Sequence, residues 1–97
     1  MTSKQRAYLK GLASTMDPVV HVGKASASAE VVTSVEEALN ARELIKIGVL
    51  KNCADDPHTV AEIIAERTHS QIVHVIGKKI VLYKANKDKP VIKLPLE

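Results

Sequence analysis

The sequence contains no tryptophan and no phenylalanine, so Tyr8 and Tyr83 are its only large aromatic residues. Domains that read nucleic-acid bases by stacking several of them along a sheet need a series of aromatic side chains. The composition therefore argues against that class of domain, and any contact with a nucleic acid should favour backbone and shape over base identity. Both tyrosines are expected to pack in the core with their hydroxyl groups at the surface.

Cysteine is nearly absent as well, because Cys53 stands alone. One cysteine cannot form an internal disulfide or anchor a thiolate metal cluster, which fits a reducing compartment. No apolar run approaches the roughly 18 residues that a membrane span needs. Residues 1–10 are polar and basic, unlike the apolar centre of a signal peptide. We therefore expect a cytoplasmic protein that does not contact a membrane.

Glycine and proline are scarce, with four of each among 97 residues, which excludes collagen-like and low-complexity chains. The remaining composition, 45% hydrophobic and 26% charged, is that of a folded domain. This length can bury a core but is too short for two domains. We expect one domain over residues 1–97, with a core at about 4–84 and a basic tail at 85–97.

The formal charge of +3 is distributed unevenly along the chain. Residues 1–24 carry four basic side chains against one acidic, and residues 71–97 carry six against two. Residues 25–70 carry four basic side chains against eight acidic ones. Such segregation predicts one cationic surface that is built from the two ends of the chain.

Hydrophobic periodicity and turn residues predict the order helix, strand, helix, strand, helix, strand, strand. The predicted elements span 4–13, 19–22, about 31–42, 44–49, 57–68, 71–76 and 80–83. Gly77 suits the first central position of a tight turn, so the last two strands should pair antiparallel. Right-handed crossovers should place the second and third helices on one face of the sheet. The predicted fold class is a single α/β domain with a mixed four-stranded sheet.

Two details of packing follow from the same patterns. In the first helix, apolar residues recur at helical spacing and the basic residues point elsewhere. The apolar positions are Tyr8, Leu9, Leu12 and Ala13, and the basic ones are Lys4, Arg6 and Lys10. In the tail, Val91, Ile92 and Leu94 are expected to dock as an edge segment of the sheet.

The sharpest local motif is Gly23-Lys24-Ala25-Ser26, which lies between a predicted strand and the start of a predicted helix. Glycine lets the backbone approach a ligand, the helix N-terminus favours an anion, and Lys24 adds a mobile positive charge. An ordinary strand-to-helix turn is the alternative interpretation. The Walker and dinucleotide-binding patterns are both absent, so nothing supports nucleotide hydrolysis or a bound cofactor.

The four histidines are the only candidates for metal or acid–base chemistry, and their spacing matches no metal signature. His21 and His74 alternate with aliphatic residues in predicted strands, so they could lie near each other on the sheet. We interpret Asp55 and Asp56 as helix-capping residues, and Cys53 has no neighbouring base to activate it. We therefore expect no catalytic residue, no metal and no enzymatic activity.

Several segments together resemble the YhbY-like, CRM-domain family, in order and spacing, from Leu9 to Pro95. They are LKGLA (9–13), PVV (18–20), VGK (22–24), AL (38–39), ELIKI (43–47), VIGK (75–78), VLYK (81–84) and IKLP (92–95). The resemblance implies an RNA-binding module whose topology is similar to that of the C-terminal domain of bacterial translation initiation factor three. It further implies a single-domain bacterial protein that associates with precursors of the large ribosomal subunit.

Members of this family carry a GxxG loop, similar to that of KH domains, that approaches the RNA backbone. Gly23 and Lys24 match this pattern, but Ser26 occupies the position of the second glycine. Serine tolerates a positive φ poorly and adds a side chain. Either the loop geometry shifts, or the Ser26 hydroxyl joins the phosphate contact.

The charge distribution and the resemblance together predict a surface that binds ribosomal RNA of the large subunit or its precursor. Its residues are Lys4, Lys10, Gly23, Lys24, Ala25, Ser26, Lys46, Lys78, Lys79 and Lys84. Ribosomal proteins are further expected partners, and the chain is expected to act as a monomer. For the lysines of the hairpin and tail, a solvated and solubilising segment is the alternative interpretation.

A different class of function is also open. The second and third helices carry acidic residues that could dock a basic ribosomal or assembly protein. They include Glu36, Glu37, Glu62 and Glu66.

Overall fold

The computed structural model describes residues 1–96. Its elements are α1 (Ser3–Ala13), β1 (Val20–Val22), α2 (Ala29–Arg42), β2 (Leu44–Val49), α3 (Pro57–Thr68), β3 (Gln71–Ile76) and β4 (Lys79–Tyr83). The predicted order is confirmed, and the bounds differ by a few residues at most. Within the described residues, no helix is long and apolar enough to cross a membrane.

Polar residues at the helix starts explain where the helices begin. Thr2 and Gln5 form a reciprocal capping box at α1, and the Ser28 hydroxyl accepts the N–H of Val31 at the start of α2. The Asp56 carboxylate caps α3, and Pro57 occupies its first turn. The predicted capping role of Asp56 is therefore confirmed.

The four strands form one mixed sheet in the order β1-β2-β4-β3. β1 and β2 are parallel, whereas β4 pairs antiparallel with both β2 and β3. β4 is therefore inserted between two strands that run in the same direction, and α3 connects those two strands. The predicted mixed four-stranded sheet is confirmed.

The sheet separates two hydrophobic clusters. The larger cluster lies between the sheet and helices α2 and α3, and it includes Val35, Leu39, Ile45, Ile64 and Leu82. The smaller cluster lies under α1 on the opposite face of the sheet. It consists of Leu9, Ala13, Leu44, Val73, Val81 and Tyr83, with Met16, Ile92 and Leu94 packed against it.

The face that α1 turns toward the sheet differs from the predicted one. Leu9 and Ala13 are buried as expected, but Tyr8 is 43% exposed and Leu12 is 40% exposed. Arg6 lies on the sheet side instead, where its Nη1 donates to the carbonyl oxygens of Ile72 and Val73 at 2.6 and 2.9 Å. These bonds tie the exposed Arg6 to an edge strand, while Leu9 and Ala13 are the residues of α1 that the sheet buries.

A β-bulge in β3 adds a side chain to the face of the sheet that α1 covers. Ile72 pairs with Leu82 and His74 pairs with Val81, which leaves Val73 without an opposite residue. Val73 packs in the cluster under α1, and the next side chain, His74, faces the same side of the sheet. The bulge thus places two consecutive side chains on one face.

The C-terminal tail packs against the smaller cluster and forms no strand within residues 84–96. Ile92 and Leu94 contact that cluster, but Val91 is 74% exposed, so the predicted edge segment is wrong. Gln5 anchors the far end of the tail, because its Nε2 donates to the carbonyl oxygen of Pro95 at 2.9 Å. Glu97, the last residue of the predicted tail, lies outside the described residues.

Glu43 holds the tail in place through its carboxylate. The residue follows α2 with a φ of 64° and is only 1% exposed. Its Oε1 accepts the N–H groups of Val91 and Ile92, each at 2.8 Å, and its Oε2 accepts the N–H of Asn86. Burial alone would raise the pKa of Glu43, but these backbone donors outweigh burial and hold the pKa below its ordinary value. The carboxylate is therefore charged at neutral pH.

Candidate functional site

Three loops lie at the same end of the sheet. The 23–26 loop follows β1, the 50–55 loop follows β2, and the two-residue turn of Gly77 and Lys78 joins β3 to β4. Gly77 has a φ of +55°, and Lys78 is not among the residues with positive φ, as in a type II′ turn. Because β2 separates β1 from β4, the strands that lead to Lys24 and Lys78 are about 10 Å apart.

The 23–26 loop is a tight turn with an exposed centre. The N–H of Ser26 donates to the carbonyl oxygen of Gly23 at 2.9 Å, which leaves Lys24 and Ala25 exposed at the centre. A Cβ added to Gly23 would lie 3.3 Å from the side-chain oxygen of Asn52, so glycine permits the close approach of the two loops. The turn therefore presents Lys24 to solvent immediately before α2.

Ser26 itself adopts the left-handed conformation, with a φ of 53°. Its hydroxyl donates to Oδ2 of Asp55 in the 50–55 loop at 2.6 Å. The serine thus adopts a positive φ within the turn, and its hydroxyl is held by a carboxylate. Asp55 therefore ties two loops together, and its predicted role as a helix cap is wrong.

We expect two substitutions of Ser26 to have different effects on stability. Ser26→Ala loses the bond to Asp55 and keeps the positive φ, so it should lower the free energy of unfolding by about 1 kcal/mol. Ser26→Gly loses the same bond but relieves the backbone, so its stability should stay within about 0.5 kcal/mol of the parent protein. Urea denaturation followed by circular dichroism measures both values. Equal losses in the two variants would contradict this account of the backbone.

A groove lies on the α1 face of the sheet, beyond the end of the helix. α1 has 11 residues and is about 16 Å long, so it covers only part of this face. The strand pairing aligns Lys46, Val81 and His74 in one row, and Lys79 and Ile76 in the next row. We call this depression the α1 groove. It has a volume of about 330 Å³, and its lining residues are Lys10, Ala13, Ser14, Lys46, His74, Ile76, Lys79 and Val81.

The charge of the α1 groove has one sign. Three lysines line it, and none of its described lining residues is acidic. Burial and the positive charge of Lys10 lower the pKa of His74. The imidazole is therefore neutral at pH 7, and the lysines Lys10, Lys46 and Lys79 supply the positive charge. A groove of this kind favours an anionic ligand.

Acidic residues lie on the other face of the sheet. Helices α2 and α3 pack there, and their outer surfaces expose several glutamates. These are Glu30, Glu36, Glu37, Glu62 and Glu66. The sheet thus separates an acidic helical face from a basic face that carries α1, as the uneven charge distribution of the sequence suggests.

Two lysines of the predicted surface lie elsewhere. Lys84 is at the opposite end of β4, where its Nζ donates to the carbonyl oxygen of Thr68 at 3.0 Å and contributes a cap to α3. Lys4 is in the first turn of α1, rotated about 120° from Lys10 around the helix. Neither residue faces the α1 groove or the 23–26 loop, so we correct the predicted surface by removing both.

The histidines also lie apart. His21 is on β1 and His74 is on β3, the two outer strands of the sheet, so three strand spacings of roughly 14 Å in total separate them. The expectation that they could be neighbours is therefore wrong. Among residues 1–96, no group of three histidine, cysteine, aspartate or glutamate side chains is arranged to hold a metal ion.

Several residues of this site were not predicted from the sequence. Arg6 ties α1 to β3, Asp55 holds the 23–26 loop, and His74 and Ile76 line the α1 groove. The alternation of β4 could have placed Lys79 and Val81 on one face together. No sequence signal marks the bulge that turns His74 to that face.

Comparisons with known proteins agree with this fold. A sequence profile of the CRS1 / YhbY (CRM) domain matches residues 1–84. The solution structure of the hypothetical protein SAV1595 from Staphylococcus aureus matches with a TM-score of 0.83 and 40% identity, covering 98% of this chain and 99% of that one.

Two relatives carry names that state what they bind. The Bacillus subtilis protein named "Probable RNA-binding protein YqeI" is 42% identical over 95 residues, which cover 98% of this chain and 99% of the relative. A Haemophilus influenzae protein named "RNA-binding protein" is 34% identical over 88 residues, which cover 91% and 89%. The extent of these matches leaves no part of the folded core without a counterpart. The chain therefore belongs to the CRS1 / YhbY (CRM) domain family.

Proposed function

We propose that this protein binds ribosomal RNA of large-subunit precursors in the cytoplasm during ribosome assembly, as a monomer and without catalysing a reaction. The RNA contacts the 23–26 loop, the turn at Lys78 and the α1 groove. These three features lie toward one end of the sheet, and each of them carries at least one lysine. Its charge neutralises phosphates, and it requires no cofactor.

The separation of charge across the sheet carries this proposal. Lys10, Lys46 and Lys79 line the α1 groove on one face, whereas the exposed glutamates of α2 and α3 occupy the other. A net charge of +3 would steer RNA only weakly if it were spread evenly over the surface. Concentrated on one face, the same charge orients the protein toward a phosphate backbone. The names of the relatives support RNA as the ligand.

Charge reversal tests the assigned surface. Lys24→Glu combined with Lys78→Glu should weaken RNA binding at least about tenfold and reduce the salt slope of log K by about 2. Both side chains are exposed, so the fold should persist. Filter binding to a large-subunit ribosomal RNA fragment at several salt concentrations measures both quantities.

The matched control is Lys87→Glu with Lys89→Glu, two exposed tail residues that give the same change in net charge. This control should retain most of the affinity, because the tail packs at the other end of the sheet. Equal losses in the two double variants would show that net charge matters and location does not. Unchanged affinity in the Lys24 and Lys78 variant would refute the assigned surface.

The role in assembly needs a separate measurement. A sucrose gradient of a cell lysate, run at low and high salt, separates subunits, precursors and free protein. We expect the protein to co-migrate with large-subunit precursors at low salt and to dissociate from them at high salt. Migration with the free fraction at low salt would refute the assembly role. The filter-binding assay would still decide whether the protein binds RNA.

The acidic helical face favours a second candidate function. Glu36 and Glu37 on α2, with Glu62 and Glu66 on α3, could dock a basic ribosomal or assembly protein. Affinity capture before and after nuclease digestion distinguishes the two functions. Partners that persist after digestion would favour the protein-docking role, whereas loss of all partners would favour RNA.

A further inference from the structure

The floor of the α1 groove has a chemistry that phosphate binding does not explain. Ile76 offers an apolar surface between the lysines, above the buried side chains of Ala13 and Val81. Ile76 is 61% exposed, whereas Val73 and His74, on the same face of β3, are buried and half-buried. An apolar side chain in that position contributes nothing to a phosphate contact. It does fit the face of a planar, apolar ring.

The positions of the lysines restrict what can lie on that floor. Lys10 projects from α1, Lys46 comes from β2, and Lys79 comes from β4, so the cations surround the apolar surface from three elements. The ligand therefore combines an apolar face with negative charge at its edge. A nucleotide has this composition, with its base as the apolar face and its phosphate as the charged edge.

The size of the α1 groove sets the number of nucleotides. Its volume of about 330 Å³ lies at the lower end of the roughly 300–1,000 Å³ that is typical of small-molecule sites. An RNA duplex cannot enter a depression of that size, because its bases are stacked inside the helix. One unpaired nucleotide, turned out of a bulge or a loop, fits.

His74 adds an aromatic ring to the α1 groove. It aligns with Val81 across the β3–β4 pair, so its ring lies beside the apolar floor. A neutral imidazole can stack on a base and retains one hydrogen-bond donor and one acceptor. The aliphatic floor makes no hydrogen bonds, so the site selects for an unpaired base more than for its identity.

We propose that the α1 groove binds one unpaired nucleotide of the RNA, with its base against His74 and Ile76 and its phosphate among Lys10, Lys46 and Lys79. This inference rests on the proposed RNA-binding function and specifies the part of the RNA that is recognised. It predicts that the protein distinguishes a helix with an unpaired nucleotide from a perfect helix.

The test compares two RNA hairpins that differ only in one bulged nucleotide, with the full-length protein and fluorescence anisotropy at fixed salt. The parent protein should bind the bulged hairpin at least about fivefold more tightly than the perfect one, because stacking of one base has about that effect. Ile76→Ser should abolish this preference, so that the variant binds the two hairpins with equal affinity. The matched control is Val91→Ser, which changes an exposed aliphatic residue in the tail and should retain the preference.

A second readout locates the base. 2-Aminopurine at the bulge should be quenched on binding to the parent protein, and His74→Ala should reduce the quenching while circular dichroism confirms the fold. Equal affinity of the parent protein for both hairpins would refute the nucleotide site and leave RNA binding intact. Failure to bind either hairpin at low salt would refute the proposed function together with this inference. NMR chemical shifts of the Ile76 methyl groups provide a third readout. If an acidic, leucine-containing peptide changes these shifts and the bulged hairpin does not, the groove is a protein-docking site and the proposal is overturned.

Discussion

Glu43→Ala should lower the free energy of unfolding by about 3 kcal/mol, the largest effect that we expect from any single polar substitution in this protein. The substitution leaves the N–H groups of Asn86, Val91 and Ile92 without their carboxylate acceptor. Each such group costs roughly 1–3 kcal/mol when it stays buried, and water reaching the released tail offsets part of the sum. For a domain of this size the midpoint of thermal unfolding should fall by roughly 15 °C.

Two further variants show whether the effect acts through the tail. Glu43→Gln keeps the shape and one acceptor oxygen, so its loss should be smaller than that of Glu43→Ala. A chain truncated after Lys84 should already lack the stabilisation that Glu43 provides. Adding Glu43→Ala to the truncated chain should therefore cost little. A full loss of about 3 kcal/mol in the truncated chain would show that Glu43 stabilises α2 and β2 directly.

Acidification should have the same effect as the substitution. The pKa of Glu43 is lower in the folded protein than in the unfolded chain, so its stabilisation is present above the ordinary glutamate pKa and is lost as the pH falls through the lowered folded value. Tyr83, whose pKa is raised by burial and by the charge of Glu43, stays neutral throughout this range. Amide chemical shifts of Val91 and Ile92 should report release of the tail at a pH below the ordinary pKa of a glutamate. Glu43→Gln should remove this transition.

Reversal of all three lysines in the α1 groove should have the largest effect on function. Lys10→Glu, Lys46→Glu and Lys79→Glu together replace three attractive contacts with repulsive ones. At about tenfold for each contact, we expect RNA affinity to fall roughly a thousandfold, and the protein should no longer sediment with ribosomal particles. Anisotropy and the sucrose gradient measure the two outcomes.

The corresponding control places the same charge on the tail, with Lys87→Glu, Lys89→Glu and Lys93→Glu. All three tail lysines are exposed, and none lines the α1 groove. This variant should keep its affinity within about tenfold of the parent protein. If both triple variants lose binding to the same degree, the RNA responds to overall charge and the groove has no special role. Thermal unfolding of both variants verifies that the substitutions leave the fold intact.

Local patterns in the sequence were sufficient for most of the fold. The β-rich pattern over Leu44–Val49 predicts β2, and Asp56 followed by Pro57 marks the start of α3. These features depend on neighbours within one turn or one strand, and such neighbours are visible in the sequence. The uneven charge distribution also indicated that one surface would be basic.

The candidate site was predicted only in part. Lys24 and Lys78 lie at the same end of the sheet as expected, because a parallel strand pair and a hairpin bring their loops together. Lys24 follows β1 and Lys78 precedes β4, and Lys84 likewise lies next to a strand because it follows β4. Lys84 nevertheless lies at the opposite end of the sheet. Strand direction decides this difference, and the direction depends on pairing between distant segments.

The sequence by itself determined the helices, the strands and the segregation of charge, because each of these follows from the order of residues over short distances. The tertiary structure decided which face of α1 meets the sheet, where Leu9 and Ala13 are buried and Arg6 bonds to Ile72 and Val73. It also decided that His74 faces the α1 groove, through a bulge that only the β3–β4 register reveals. Both outcomes depend on the competition of many weak contacts between distant segments, and no local pattern records that competition.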